Sequence, residues 1–180
     1  DEPILLEYAR KHLIVDIDDD ETDTEIMRVV ASARRWAENY LNRALMTQTW
    51  DLYLDEFPDE DYIELPFPPL VSVSWVKYKN TSGVLTTMAA ADYVVDIVSE
   101  PGRVALAYGE SWESTYDEIQ AVQVRFVCGY GFGEDVPEDI RQAIMMKAAS
   151  LYEHRGDEIV DPGIDRAVKA LLWPYRMVTP

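Results

Sequence analysis

The sequence predicts a mixed α+β fold in which two N-terminal and two C-terminal helices form a frame around an inserted antiparallel β-region. Three observations predict this class. Apolar residues recur at every third or fourth position before residue 46 and again after residue 137, which is typical of amphipathic helices. Between these regions apolar and polar residues alternate, and turn-forming clusters such as PFPP and KNTSG separate the segments. The 180 residues suffice for one domain with its own core.

The first 46 residues carry two helical patterns. A short one covers residues 3–13, and the clearest one in the chain covers residues 26–41. Thr22, followed three residues later by Glu25, predicts a capping box at the start of the second helix. The acid-rich segment 16–25 would place negative charge at the positive end of that helix's dipole.

The β-region begins at residue 47, where the apolar period changes to two. Trp50, Leu52 and Leu54 alternate with polar or amphipathic neighbours. Because the connections are short, we expect most neighbouring strands to pair antiparallel. The sequence predicts six or seven strands, with candidates at residues 50–54, 62–65, 71–78, 84–88, 93–98, 103–107 and 121–127.

Two further helices complete the frame. One starts at Pro137, which suits a first helical turn, and ends near Gly156. The other covers residues 165–173, and Pro174 stops it. We therefore predict a single domain over residues 1–180, with a helical part at 1–46, an inserted β-region at 47–128, and a helical part at 129–180 that ends in an interaction segment.

The stretch VRFVCGYGFGEDVPEDI, residues 124–140, is the candidate for a nucleotide-binding site. A strand pattern, glycines and a helix pattern follow one another there, as in dinucleotide-binding loops. The spacing, however, is G-x-G-x-G rather than G-x-G-x-x-G, and no strand follows the helix. Four acids also lie where a phosphate would bind. We predict no cofactor, and we interpret Gly129, Gly131 and Gly133 as a hinge between the β-region and the C-terminal helices.

The acidic segment 16–25 is the candidate for a calcium-binding loop. Asp16, Asp18 and Asp20 match the first three ligand positions of an EF-hand loop. Glu21, however, replaces the required glycine, and Met27 replaces the bidentate glutamate. We predict a solvated helix-capping loop and no metal site.

Catalytic side chains show no pattern either. His12 and His154 lack zinc-ligand spacing, and Cys128 reads as a small core residue. Because the chain has 34 acidic residues, some pair of carboxylates is always available, so such a pair does not indicate a catalytic site. We predict that the protein is not an enzyme.

The tryptophans divide into two groups. Trp36, Trp50 and Trp75 fall on apolar stripes, which predicts core positions. Trp112 lies in a polar loop, where we expect it to be exposed and available to a partner.

Net charge excludes several partners. The chain has 34 acidic and 16 basic residues, a formal charge of −18 and an isoelectric point near 4.3. Such a surface repels DNA phosphates and anionic membranes. No apolar run approaches the ~20 residues of a membrane helix, and the N-terminus does not resemble a signal peptide.

The C-terminal fifteen residues contrast with the rest of the chain. Residues 1–165 contain 34 acids and 13 bases, a net charge of −21, whereas residues 166–180 contain three bases and no acid. Aromatic and arginine side chains dominate interface hot spots. We predict that this segment binds a partner through Arg166, Lys169, Leu171, Leu172, Trp173, Tyr175 and Arg176. The alternative is that its helix packs on its own domain, and both can hold.

The chain resembles one known family over nearly its whole length. The resemblance lies in the ordered series LLEYARKHLIVD, ARRWAENYLNRALMTQTWDLYLDEFP, ELPFPPLVSVSWVKY, DYVVDIVSEPGRVAL, VRFVCGYG, VPEDIRQAIMMKAASLYEHRG and LLWPYRM. No single motif is diagnostic. Together they resemble the head–tail connector (adaptor) proteins of long-tailed bacteriophages and gene-transfer particles. The acidic segment 16–25 is longer than that family's pattern.

The resemblance implies a structural, non-enzymatic role in the virion neck, after assembly in the cytoplasm of a host bacterium. It implies a ring of about twelve copies under the portal protein, which extends the DNA channel and docks a stopper or tail-completion protein. DNA would pass without specific binding. Residues 165–180 would reach the portal or a neighbouring subunit.

A different class of function stays open. A monomeric acidic binding protein, such as a DNA mimic, explains the charge of −18. It does not explain the basic C-terminal segment. The helix at residues 26–41 also argues against a mimic, because it carries Arg28, Arg34 and Arg35 against only Glu38.

Overall fold

The computed structural model describes residues 2–14, 20–154 and 162–178, and it divides into two compact units. The helical unit comprises residues 1–46 and 130–180, and the β-unit comprises residues 47–129. Helices and two antiparallel sheets occur in the predicted order. The predicted α+β class, a helical frame with an inserted antiparallel β-region, is therefore confirmed.

In the described residues of the helical unit there are four α-helices. Its two N-terminal helices are α1 (Leu6–Leu13) and α2 (Asp20–Leu41), and its two C-terminal helices are α3 (Glu138–Glu153) and α4 (Pro162–Leu172). A 3₁₀ turn, Trp173–Tyr175, follows α4 directly. Pro174 lies inside this turn, where a proline cannot continue the α-helical hydrogen-bond ladder.

The core of the helical unit joins chain segments that are distant in sequence. In α2 the buried residues are spaced by three or four, so that they form one continuous stripe. Their partners on α3 and α4 have the same helical spacing. This shared core contains Ile26, Val30, Ala33, Ala37 and Leu41 of α2, Ile140, Ala143, Ile144 and Ala148 of α3, and Val168 and Leu172 of α4.

Helix ends differ from the sequence prediction in two places. Since α2 begins at Asp20, Thr22 lies inside the helix, and the predicted capping box is wrong. Acidic residues in a first turn are favoured by the helix dipole, which lets the helix extend through them. Pro137 is the residue before α3 rather than part of its first turn. Of the predicted helix-capping loop at residues 16–25, residues 20–25 belong to α2, so the loop prediction is wrong there, whereas residues 16–19, like Gly156, lie outside the described residues.

Seven strands build the β-unit, as the period-two pattern predicts. They form a four-stranded sheet of order β1-β7-β3-β4 and a three-stranded sheet of order β2-β6-β5. The strands are β1 (Gln48–Leu54), β2 (Tyr62–Leu65), β3 (Leu70–Lys79), β4 (Leu85–Thr87), β5 (Tyr93–Asp96), β6 (Gly102–Leu106) and β7 (Val122–Cys128).

Strand pairing is antiparallel throughout the described residues but is mostly not between sequence neighbours. Only β3/β4 and β5/β6 are consecutive pairs; β7 pairs with both β1 and β3, and β2 pairs with β6. The expectation that most neighbours pair is therefore wrong. The reason lies in β7, in which Val122, Val124, Phe126 and Cys128 are all buried. A strand with one fully buried face is stabilised at the centre of a sheet, between two long partners.

The tryptophan predictions hold only in part. Trp50 is 41% exposed, because it lies on the edge strand β1 and packs against Phe67 rather than inside the core. Trp36 and Trp75 are half-buried. Trp112 is not freely exposed, since its ring stacks on Phe57 at 4.7 Å and its indole N–H donates to the Glu60 carbonyl at 2.7 Å.

Candidate interaction surface

The C-terminal segment predicted to bind a partner splits between core and surface. Val168 and Leu172 of α4 are fully buried in the helical unit, and Leu171 packs against the same core. Leu172 therefore stabilises its own unit and is not part of an accessible surface. The packing alternative is correct for this side of the helix.

The other side of the segment faces solvent. Arg166 and Lys169 are exposed on α4, and Trp173 is 61% exposed directly after it. The Arg176 guanidinium lies 5.1 Å from the centroid of the Tyr40 ring and 5.8 Å from that of Trp173. Cation–π attraction thus holds an arginine and a tryptophan together at the surface. We call Trp173 and Arg176 the Trp/Arg patch.

Backbone contacts fix this patch on the end of α2. The Met177 N–H donates to the Leu41 carbonyl at 2.9 Å, and the Asn42 side-chain amide donates to the Met177 carbonyl at 3.0 Å. The buried Arg43 side chain donates to the Tyr175 carbonyl. The patch is therefore presented by an anchored segment, which reduces the entropy that a partner would have to remove on binding.

Tyr175 ties the same segment to α3. Its hydroxyl donates to an Asp139 carboxylate oxygen at 3.2 Å. Burial, and next this hydrogen bond, raise the pKa of Tyr175. Tyr175 thus positions the segment, and its ring is half-buried rather than freely available.

One carboxylate organises the charges on α4. Asp165 pairs with Lys169 at 2.6 Å and with the buried Lys147 of α3 at 3.4 Å. The hydrogen bond from Lys169 lowers the pKa of Asp165, and the same contact raises the pKa of Lys169. Lys147 also lies over the Trp36 ring at 4.7 Å. Lys169 therefore already has a carboxylate partner, unlike Arg176, whose described neighbours are aromatic rings.

The predicted hinge glycines have two different structural roles. Gly129 and Gly131 have φ values of 116° and 111°, which residues with a Cβ rarely adopt. Gly133 instead permits a close approach, because a Cβ there would lie 2.8 Å from the Cα of Pro3 and 3.0 Å from the Glu2 carbonyl oxygen. Hydrogen bonds hold both sides of the segment: Gly129 N–H to the Pro69 carbonyl, and Tyr130 N–H to the Leu45 carbonyl.

The side chains that the sequence analysis tested for catalysis lie at separate positions in the described part of the chain. Cys128 is fully buried at the end of β7, as predicted for a core residue. His12 is exposed on α1, and His154 contacts the Ser150 carbonyl at the end of α3. Residues 2–14, 20–154 and 162–178 contain no group of three His, Cys, Asp or Glu side chains placed to hold a metal ion. Within the same ranges, no helix is long and apolar enough to span a bilayer.

A second surface, which the sequence reasoning missed, is a groove in the helical unit. It has a volume of about 1240 Å³ and is lined by residues 2–6 with parts of α1, α2, α3 and the loop at 132–134. Three exposed apolar side chains stand around it: Leu5 at 60%, Tyr8 at 56% and Phe132 at 72% exposure. The only sequence signal is a phenylalanine between two glycines in a polar loop, and that pattern alone does not indicate a groove.

Comparison with known proteins identifies similar folds. No family model matches the chain, and no curated protein matches its sequence. A chain in the neck of an empty gene transfer agent particle, reconstructed with C6 symmetry, is similar with a TM-score of 0.79 and 22% identity, over 99% of this chain and 91% of that one. A chain in the virion of a native gene transfer agent particle is similar at 0.80 and 22%, over 99% and 91%. A chain in the neck of a native particle, reconstructed with C12 symmetry, is similar at 0.76 and 23%, over 97% and 89%. Identity at this level establishes a shared fold.

Proposed function

We propose that this chain is a structural protein of a phage-like virion neck, a head–tail connector (adaptor) that forms a ring under the portal. The ring would extend the DNA channel and dock a stopper or tail-completion protein. In this proposal the chain has no catalytic role and is assembled into particles in the host cytoplasm.

The observation that carries this proposal is the fold. Chains from the neck and virion of gene transfer agent particles share it over 97–99% of this chain, with TM-scores of 0.76–0.80. Two of those necks were reconstructed with sixfold or twelvefold symmetry. These symmetries support a ring of twelve copies for this chain too.

The charge of the chain suits a conduit for DNA. A protein of net charge −18 repels phosphates, so a duplex can move past it without being held. The same charge makes the copies repel one another. A ring therefore needs locally complementary contacts, which in a closed circle are heterologous, so that one surface meets a different surface of the next copy. We expect assembly in solution to be weak and to change with salt concentration.

The C-terminal segment is the proposed contact for the portal or a neighbouring copy. Its exposed members Arg166, Lys169, Trp173 and Arg176 have the residue types of interface hot spots. Leu171, Leu172 and Tyr175 would act indirectly by holding this surface in place. In the same proposal Gly129 and Gly131 form a hinge, and normal particle assembly after their replacement by alanine would contradict that role.

Co-expression with the portal protein of the same particle, followed by electron microscopy of the purified complexes, tests the proposal. We expect a second ring stacked coaxially on the portal. The matched variants are Trp173→Ala, which should reduce ring occupancy, and Tyr108→Ala, a fully exposed residue of the β-unit outside the proposed contact. Bare portals at low and moderate salt, with this chain monomeric beside them, would overturn the proposal in favour of another neck position or an acidic DNA mimic.

A further inference from the structure

The groove of the helical unit has one end with a distinct chemistry. There Phe132 projects from a loop with local contacts on both sides: the Phe132 backbone N–H donates to the Asp135 carboxylate at 2.9 Å, and Gly133 lies close to Pro3. Glu134 and Glu138 are exposed beside it. Arg141 also lines the groove, and it pairs with Glu138. We call this part, with Leu5 and Phe132 as its apolar walls, the Phe132 seat.

The lysine of the groove lies elsewhere. Lys11 belongs to the later part of α1, whereas the seat adjoins the residues before α1 begins. The seat thus combines an exposed phenyl ring, an exposed leucine and two exposed carboxylates. Its chemical complement is an aromatic or aliphatic side chain next to a cation.

The Trp/Arg patch has this complementary chemistry. It combines an exposed indole with a guanidinium that faces aromatic rings, and residues 166–180 contain no acid. The patch also lies on a different side of α3 from the groove. Tyr175 contacts Asp139, whereas the groove is lined by Glu138, Arg141, Gln142 and Met145, and successive helical residues are about 100° apart around the axis. One unit therefore presents two complementary surfaces that face in different directions.

We propose that the Trp/Arg patch of one copy binds the Phe132 seat of the next copy, with Trp173 against Phe132 and Leu5 and with Arg176 facing Glu134. This inference rests on the proposed function, because it assumes a ring. It deepens that function by naming both sides of the subunit contact. Since the two surfaces differ, the contact is heterologous and continues from copy to copy. It also places a cation and a carboxylate opposite each other between copies that otherwise repel.

Crosslinking of full-length chains assembled with the portal tests the contact. The cysteines are placed so that Phe132 and Trp173 stay intact: Gln142 is exposed and lines the groove, and Val178 is exposed two residues after Arg176. A chain carrying both Gln142→Cys and Val178→Cys, treated with a short bis-maleimide, should give a ladder of covalent multimers up to the size of the ring. An equal mixture of the two single variants should give crosslinked dimers as the main new product and no long ladder. Each single variant alone reports the background from the buried Cys128. The pair Leu85→Cys and Val178→Cys is the matched control, because Leu85 is exposed but belongs to the β-unit.

Charge reversal provides a second measurement that does not depend on cysteines. Arg176→Glu and Glu134→Arg should each reduce ring occupancy on the portal, and the double variant should recover it. Rings that form on the portal without a specific ladder and without recovery would overturn the inference and leave the connector function in place. Absence of any ring with the unmodified chain would instead overturn the proposed function. A ladder from the control pair alone would also overturn the inference.

Discussion

The helical unit and the β-unit use charge in different ways. The β-unit has 14 acidic and 4 basic residues, whereas the helical unit has 20 acidic and 12 basic residues. Three of the four bases in the β-unit pair with its own carboxylates: Lys79 with Glu118, Arg103 with Asp96, and Arg125 with Asp51, each at 2.7 Å. The fourth, Lys77, lies over the Trp75 ring.

In the proposed connector, this difference would separate two tasks. The bases of the β-unit are engaged within the unit, which leaves it a predominantly negative surface. The helical unit keeps Arg176 beside aromatic rings at the surface, together with exposed Phe132 and Leu5. We therefore expect subunit contacts to depend on the helical unit and repulsion of DNA to depend more on the β-unit.

The largest expected effect concerns the core of the β-unit. Phe126→Ala should lower the free energy of unfolding by about 3–5 kcal/mol, because it removes a fully buried ring from the central strand β7. Urea denaturation followed by circular dichroism measures this change. Val94→Ala, on the exposed side of β5, should change stability by less than about 0.5 kcal/mol. Equal losses for the two variants would contradict the assigned burial.

Two adjacent residues test the separation of core and contact in the helical unit. Leu172→Ala should lower the free energy of unfolding by about 2–5 kcal/mol, because Leu172 is fully buried. Trp173→Ala, at an exposed position, should leave the stability of the monomer nearly unchanged but weaken assembly by about 1–2 kcal/mol per contact. Thermal unfolding of the monomer and ring occupancy on the portal measure the two effects. An unchanged free energy of unfolding for Leu172→Ala, or full ring occupancy with Trp173→Ala, would contradict the assignment of Leu172 to the core and Trp173 to the contact.

Much of the fold follows from local patterns in the sequence. Each predicted strand exists, since a period of two persists even over four residues such as Tyr62–Leu65. The helical stripes on α2 and α3 predicted their shared core. Local patterns do not show which strands pair. For example, β1 and β7 are hydrogen-bonded to each other although almost the whole β-unit separates them in sequence. The exposure of Trp50 follows from its edge position, which only the strand order reveals.

The candidate surfaces were predictable to different degrees. The C-terminal segment was recognisable because acids are absent from it, but its division into a buried side and an exposed side depends on how α4 packs. The groove was not recognisable, because residues 2–12, Met27 and residues 132–145 come together only in the folded unit. Phe132 contributes an exposed ring because Asp135 and Gly133 hold its loop.

A smaller effect distinguishes close packing from hinge behaviour at Gly133. Gly133→Ala should cost about 1–3 kcal/mol, because the new Cβ would meet the backbone of Pro3 at 2.8 Å. Hydrogen exchange should become faster in α1, which follows Pro3. Gly109→Ala is the control in the β-unit, where its positive φ costs about 1 kcal/mol but no atom lies within 4 Å of the added Cβ. Unchanged exchange in α1 would show that the N-terminal segment does not depend on this contact.

The smallest effect is a pH-dependent one in the β-unit. The Arg103 hydrogen bond, followed by the backbone N–H groups of Ser99 and Val98, lowers the pKa of Asp96 from its ordinary value of 3.8. A carboxylate with a lowered folded-state pKa stabilises the fold above the unfolded-state value, and this contribution is lost as the pH falls. Asp96→Asn should therefore lower the melting temperature near neutral pH, and the difference from the unmodified chain should shrink progressively below about pH 5. Calorimetry from pH 7 to pH 3 measures it. In an Arg103→Ala background the effect of Asp96→Asn should be smaller at every pH, because the main cause of the shift is gone; a difference that stays constant with pH would show that charge on Asp96 does not stabilise this turn.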